Sequence, residues 1–208
     1  MGLYRSRILP WAMEKILARP VFQEQRREAL RRARGRVLEV GFGFGASVGE
    51  YPPEAERIAE LVALEPNPGM TRRARRRARA PAFPVTMVRG SAEAMPFSDA
   101  SFDTVVTNWT LCSLADLTAG LAEIRRVLRR SGLYLFLEHG RAAEPALARR
   151  QEFLTPLQRI LADGCRLDVA IDHEVRAAGL RIESLERYEM PWGPRALRPM
   201  YRGAARPS

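Results

Sequence analysis

Gly41, Gly43 and Gly45 stand at alternate positions directly after the run Arg36-Val37-Leu38-Glu39-Val40. A buried strand that runs into such a loop and opens a helix can bring backbone N–H groups up to a ligand, because glycine allows the sharp turn and carries no side chain to hold the ligand away. A second apolar run, Leu61-Val62-Ala63-Leu64, ends at Glu65. Its offset from the loop, about twenty residues, is that from which a carboxylate accepts hydrogen bonds from a ribose diol. The pair points to a ligand with an adenosine end. It leaves the cofactor open, since Gly41-x-Gly43-x-x-Ala46 also satisfies the dinucleotide motif. A nicotinamide-dependent oxidoreductase therefore competes with other adenosine-cofactor enzymes, and a non-catalytic cofactor- or RNA-binding protein stands outside both.

His139 closes the apolar run that starts at Leu133, with Glu138 just before it. A strand end at the same sheet edge as the glycine loop makes His139 the candidate catalytic base; the competing reading is a structural histidine bonded to a neighbouring element. Cys112 and Cys165 are the only cysteines and lie far apart, with only His139 and His173 as nitrogen ligands. No closely spaced ligand pattern results, so no metal is expected. Burial as small apolar side chains is the expected fate of both thiols.

These residues need a scaffold. From residue 36 onward, short apolar runs (Arg36 to Gly41, Leu61 to Glu65, Val85 to Arg89, Phe102 to Asn108, Leu133 to His139, Leu180 to Tyr188) alternate with amphipathic segments. That pattern predicts an α/β fold with a mostly parallel sheet and helices on both faces. Leu117, Leu121, Ile124 and Leu128 recur at helical spacing, with Asp116 as N-cap and Ser131-Gly132 as the stop. A helix interrupted near Pro156 is expected over Pro145 to Asp163, and another over Asp172 to Ala178. The stretch Pro199 to Ala205 is expected to return beside the Leu180 strand as an antiparallel edge.

The chain has 208 residues, 46% hydrophobic and 28% charged, enough for one domain with a sizeable core and against a disulfide-stapled or disordered chain. Its 34 Lys+Arg against 24 Asp+Glu give +10, nearly all from arginine, with Lys15 the single lysine. A nucleic-acid partner is the first reading of such a balance. However, the densest run, Arg72 to Arg79, would surround its helix and lacks interleaved aromatics, so a solvated helix is expected and nucleic acid is not. The apolar stretch at residues 8–13 is too short for a signal-peptide core or a membrane span, which makes the cytoplasm the default compartment. Peripheral contact with anionic lipid stays open. The loose myristoylation pattern Met1-Gly2-Leu3-Tyr4-Arg5-Ser6 is of the kind that arises by chance. Tyr4, Trp11 and Met13 lie on a segment with no strand to join, readable as a helix packed on the sheet or as an interfacial anchor.

Two further segments complete a pattern: Gly90-Ser91-Ala92-Glu93-Ala94-Met95-Pro96-Phe97 after the third run, and Ser101-Phe102-Asp103-Thr104-Val105-Val106-Thr107-Asn108 as the fourth. With the glycine loop and Glu65 they resemble the class I S-adenosylmethionine-dependent methyltransferases over almost the whole chain. The resemblance implies a Rossmann-like, doubly wound seven-stranded sheet with an antiparallel terminal edge strand, and S-adenosyl-L-methionine as cofactor. It places Gly41, Phe42, Gly43 and Gly45 against the methionine part and Glu65 on the ribose. Ser91, Ala92 and Glu93 would lie around the adenine, Asn108 and Trp109 beside the sulfonium, and Pro66 and Met70 against the adenosine. Residues 1–35 would form a helical lid on a domain spanning 36–208. Phe44, Ser91 and Arg130-Ser131-Gly132-Leu133 depart from the family's usual threonine, aspartate and Arg-Pro-Gly-Gly.

A more specific set, Thr110-Leu111-Cys112-Ser113-Leu114, Leu135-Phe136-Leu137-Glu138-His139, Asp163-Gly164-Cys165-Arg166-Leu167 and Met200-Tyr201-Arg202-Gly203-Ala204, is similar to the methyltransferase-like proteins that include alkyl-thiol S-methyltransferases and their bacterial relatives. The acceptor this implies is small and apolar: a thiol, an amine, a quinone-like ring or a lipid headgroup. Oligomeric state is not legible.

Overall fold

The computed structural model describes residues 9–52, 57–79, 81–162 and 164–208. Tyr4, the basic positions before residue 9 and Asp163 lie outside them. Two helices, α1 (Leu9–Leu17) and α2 (Pro20–Leu30), lead into β1 (Gly35–Val40). There follow β2 (Ile58–Leu64), α3 (Pro68–Arg77), β3 (Val85–Val88), β4 (Phe102–Asn108), α4 (Leu117–Val127), β5 (Leu128–His139), α5 (Pro145–Leu161), α6 (Ile171–Ala177), β6 (Leu180–Glu189) and β7 (Pro199–Pro207). The sheet order is β3-β2-β1-β4-β5-β7-β6. The first five strands are parallel, and β7 pairs antiparallel with both β5 and β6.

The alternation of side chains along each strand builds two cores. In β2, Leu61 and Ala63 pack with Leu30, Ala33 and Ala74 on one face. Val62 and Leu64 pack with Leu121 and Ile124 of α4 on the other. In β5, Leu133 and Leu135 join the first cluster while Tyr134 and Phe136 join the second. Burial on both faces explains why these strands read as continuous apolar runs.

Three expectations need correction. The last strand does return antiparallel beside the Leu180 strand, but it inserts between β5 and β6, so β6 forms the edge. The helix capped by Asp116, whose side chain accepts from the Ala119 N–H at 2.9 Å, stops at Val127 rather than at Ser131-Gly132. Buried Leu128 instead pairs with Phe102, so β5 begins where α4 ends. Third, α5 runs through Pro156 without a break. Both Pro156 and Glu152, whose carbonyl the proline leaves without its N–H partner, lie on the exposed face where water can bond that carbonyl.

Many of the arginines are held in ion pairs. Arg126 bridges Glu123 and Asp99, Asp172 takes both Arg176 and Arg187, and Glu183 takes Arg32 and Arg206. Arg75 and Arg76 of α3 are exposed, as a solvated helix requires. None of the described helices is long and apolar enough to cross a membrane. On α5, however, Phe153, Leu157, Ile160 and Leu161 form an exposed apolar face, with Phe153 84% accessible.

Candidate functional site

A cavity of about 390 Å³ opens over the C-terminal ends of β1 to β4, where a parallel sheet places its ligands. Gly41, Phe42 and Gly43 line it from the loop after β1, and Glu65, Pro66 and Met70 from the segment after β2. Ser91, Ala92 and Glu93 line it after β3, and Asn108 and Trp109 at the end of β4. Gly45 is not among the lining residues. A Cβ there would lie 3.2 Å from the Phe42 ring and 3.5 Å from the Ala74 Cα, so this glycine lets the loop close on α3. The loop also does not open an α-helix, as the sequence suggested. Tight backbone bonds, Gly45 N–H to Phe42 O and Glu50 N–H to Ser47 O, lead it into a single 3-10 turn at Val48–Glu50.

Glu65 is buried beside this loop. Its Oε2 accepts from the Gly43 N–H at 2.8 Å and its Oε1 from the Asn67 N–H at 2.9 Å. The acid thus braces the loop across from it while facing the cavity. Ser91 donates its hydroxyl to Glu93, whose Oε1 also accepts from the Ala115 N–H at 3.1 Å, fixing the turn after β3 against the start of α4.

The other end of the cavity holds residues that sequence reasoning missed: Arg26 from α2, and Glu39, Ser47 and Thr110. Arg26 is 2% exposed. Burial draws its guanidinium down to about 10, with Glu39 and Glu50 opposing that loss, so it stays charged at neutral pH. Burial likewise raises Glu39, against hydrogen bonds from Ser47, Tyr51 and Asn108. Asn108 donates to Ser47 Oγ at 3.2 Å, while its Oδ1 is buried without a partner among the described residues. A buried guanidinium near a buried carboxylate and an unused amide oxygen are complementary to an α-carboxylate and an α-ammonium. The residues present therefore fit S-adenosylmethionine: Arg26, Glu39 and Asn108 at the amino-acid end, Glu65 at the ribose. A glutamate interrupting an otherwise apolar strand was a usable signal for Glu39. Nothing local marks Arg26.

Trp109 adopts φ 51°, a conformation rare for a bulky residue and concentrated at functional sites. It is held there by its N–H to Leu137 O at 2.8 Å, by the edge of Phe22 and by Arg26 over the ring at 5.2 Å. Beneath it, buried Glu138 accepts from the N–H groups of Thr110 and Leu111 at 2.8 and 3.2 Å. Burial pushes its carboxyl up to about 7. Glu138→Ala, which leaves those two N–H groups unpaired, is expected to cost about 2 kcal/mol in urea unfolding, and Glu138→Gln under about 1 kcal/mol because it keeps an acceptor oxygen. Equal losses in the two variants would show that the acceptor does not matter.

His139 is not among the described residues that line the cavity. Its Nε2 lies 2.9 Å from Cys165 Sγ, and its Nδ1 is buried without a partner among the described residues. Cys112, His139 and Cys165 offer ligand atoms all within 4.8 Å of one another. The fold brings together residues that spacing along the chain kept apart. Within this cluster the Cys112 thiol and His139 hold Cys165 below the usual thiol range, while Cys112 itself is pushed up.

Comparison with known proteins follows from this geometry. The family described as "Methyltransferase domain" matches residues 38–136. Human thiol S-methyltransferase TMT1A is 30% identical over 174 residues, covering 81% of this chain and 69% of that protein. A demethylmenaquinone methyltransferase of Deinococcus radiodurans is 37% identical over 111 residues, covering 53% and 46%. The chain thus spans about half the length of some relatives it matches. Among solved structures, a SAM-dependent methyltransferase of Thermotoga maritima superposes with a TM-score of 0.69 over 99% of this chain and 98% of that one, at 18% identity, a likeness of fold. The nicotinamide alternative finds no support in these matches, and the antiparallel last strand runs against it. Similarity to the human protein over four-fifths of the chain, on a cavity whose charges suit the cofactor, makes this chain a member of the S-adenosylmethionine-dependent methyltransferase family.

Proposed function

We propose that this chain transfers a methyl group from S-adenosylmethionine to the sulfur of a small apolar thiol. The observation that carries this reading is the state of the acid and base groups in the cavity. Among the described lining residues there is no histidine, and the carboxylates Glu39, Glu65 and Glu93 all accept hydrogen bonds from the protein. A hydroxyl or ring-carbon acceptor gains from a positioned base, whereas a thiol can arrive as the thiolate. Thiol and quinone acceptors both appear in the names of relatives; the cavity favours the first.

Bound S-adenosylmethionine would supply an electrophilic methyl carbon to an incoming thiolate, with S-adenosylhomocysteine as the leaving group. The chain's own residues align and enclose. Glu65 holds the ribose, and the Gly41 to Gly43 backbone with Arg26, Glu39 and Asn108 holds the amino-acid end. Trp109, Leu114, Met13 and Leu17 give the rest an apolar wall. Since Met13 and Leu17 come from α1, the described part of the N-terminal segment, residues 9–35, serves as a lid on the domain that follows. The apolar face of α5, flanked by Arg149, Arg150 and Arg159, ends next to Ala162 in the cavity wall. That position suits a protein that works in the cytoplasm with peripheral contact to a membrane from which an apolar acceptor partitions.

A screen of alkyl thiols, lipid amines and a reduced quinone, read by S-adenosylhomocysteine release, tests the reading. An alkyl thiol is expected to turn over fastest, with a rate that rises with pH as the thiolate fraction of the acceptor grows. Folded protein that fails to bind S-adenosylhomocysteine at high micromolar concentration overturns the enzyme reading. Faster methylation of the quinone would move the acceptor to a ring carbon.

A further inference from the structure

Cys112, His139 and Cys165 come from three separate elements. Cys112 sits in the 3-10 turn Leu111–Ser113 after β4, His139 ends β5, and Cys165 lies in the loop after α5. All three are buried, at 2%, 7% and 7% exposure. Their convergence is built into the backbone. The Arg166 N–H donates to Cys112 O at 2.8 Å, tying the two cysteine segments together, and the Leu167 N–H donates to buried Thr155 Oγ1 at 3.2 Å. Gln158 Nε2 is 3.7 Å from Cys165 Sγ.

We propose that this cluster is a metal site for a thiophilic divalent ion of the zinc class, with Cys112 Sγ, Cys165 Sγ and one His139 nitrogen as ligands and a fourth position left to a non-protein ligand. Zinc–sulfur and zinc–nitrogen bonds of about 2.3 and 2.0–2.1 Å set the ligand atoms of a tetrahedral site roughly 3.5 to 3.8 Å apart. The ligand atoms here lie within 4.8 Å of one another, with His139 Nε2 and Cys165 Sγ at 2.9 Å. Adjustments under about an ångström, within reach of χ rotations, close the set around an ion. Two thiolates and an imidazole are the soft donor set that selects such ions over magnesium or calcium. A second observation stands apart from the cysteines. Among the described residues His139 Nδ1 is buried with no hydrogen-bond partner, an arrangement that folded proteins avoid unless a ligand or a water takes it up.

The ion would pin the turn that carries Thr110, Ser113 and Leu114 into the cofactor cavity to the loop behind α5. Metal binding is independent of which acceptor the enzyme uses, so it stands or falls separately from the thiol reading.

The test uses the full chain, reduced and stripped of metal by chelation, titrated with Co²⁺ as a spectroscopic stand-in for Zn²⁺. Saturation at one equivalent is expected, with a near-ultraviolet sulfur-to-cobalt charge-transfer band and the visible bands of a tetrahedral ion, all displaced by Zn²⁺. Cys112→Ser and Cys165→Ser should each abolish the charge-transfer band or weaken binding by more than about 100-fold, the upper end for losing even an outer-shell partner. Should either variant not fold, the wild-type protein still decides the matter: Zn²⁺ must protect both Cys112 and Cys165 from alkylation in the folded state, as mapped by mass spectrometry. No charge-transfer band in the wild type, a band that survives both substitutions, or thiols alkylated equally with and without Zn²⁺ would each overturn the site.

Discussion

Glu65→Ala is expected to weaken S-adenosylhomocysteine binding by about 2 to 4 kcal/mol, roughly 30- to 1,000-fold in Kd. The ribose hydroxyls lose charge-assisted hydrogen bonds, each worth about 1.5 to 3 kcal/mol. The structure adds a second loss, because the same carboxylate accepts from the Gly43 N–H at 2.8 Å and from Asn67 at 2.9 Å. With alanine, the glycine loop loses the group that holds it in the shape that meets the cofactor. Glu65→Gln separates the two effects, since its side-chain oxygen can still brace Gly43 but carries no charge, and it should fall between wild type and alanine. Isothermal titration with S-adenosylhomocysteine reads both variants. An alanine variant that binds within about twofold of wild type, less than 0.5 kcal/mol, would remove Glu65 from the site.

The features that sequence reading found are those whose signal is local. The loop Gly41 to Gly45 and Glu65 announce themselves within one strand–turn unit, and β1, β2, β4 and the second half of β5 announce themselves as apolar runs because both faces of the sheet are covered there. Even the antiparallel direction of the last strand was within reach; its insertion between β5 and β6 was not, since nothing in Pro199 to Ala205 says which neighbour it takes first. The stop of α4 was misplaced for a related reason. Ser131-Gly132 is a reasonable helix terminator, but pairing of Leu128 with Phe102 ends the helix earlier. The strand partner outweighs local propensity.

The residues that escaped notice act only through tertiary approach. Arg26 is one arginine among many along the chain, and its value comes from being carried by α2 into a buried position beside Trp109. The three ligand atoms contributed by Cys112, His139 and Cys165 sit on a turn, a strand end and a loop, with more than twenty residues between successive members. Ligand-spacing rules look for neighbours along the chain and so pass over a site assembled by β4, β5 and α5. The buried Glu138 next to His139 follows the same logic. Its place under the Thr110 and Leu111 N–H groups explains why a glutamate ends an apolar strand, a fact the sequence displays without its reason.

Gly41 and Gly43 should respond oppositely to the same substitution. Both have positive φ, 73° and 59°, so alanine costs about 1 to 2 kcal/mol of backbone strain at either. At Gly41 the new Cβ would also lie 2.5 Å from both Cγ2 and Oγ1 of Thr110, whose hydroxyl is held by Val40 O at 3.1 Å and cannot retreat easily. Overpacking adds about 1 to 3 kcal/mol, so Gly41→Ala should lose about 2 to 5 kcal/mol of stability in total, at its upper end enough to unfold a marginal domain. At Gly43 the nearest atom would be Gly41 O at 3.9 Å, and the residue lines the cavity. Gly43→Ala should therefore stay folded, down by no more than about 2 kcal/mol, yet bind S-adenosylhomocysteine at least about tenfold more weakly, because its methyl occupies space that the cofactor needs. Urea unfolding and calorimetric titration on the two variants decide the point. If Gly43→Ala binds as tightly as wild type, the cofactor does not approach the backbone at this glycine, and the loop's function reduces to the turn that Gly41 enforces.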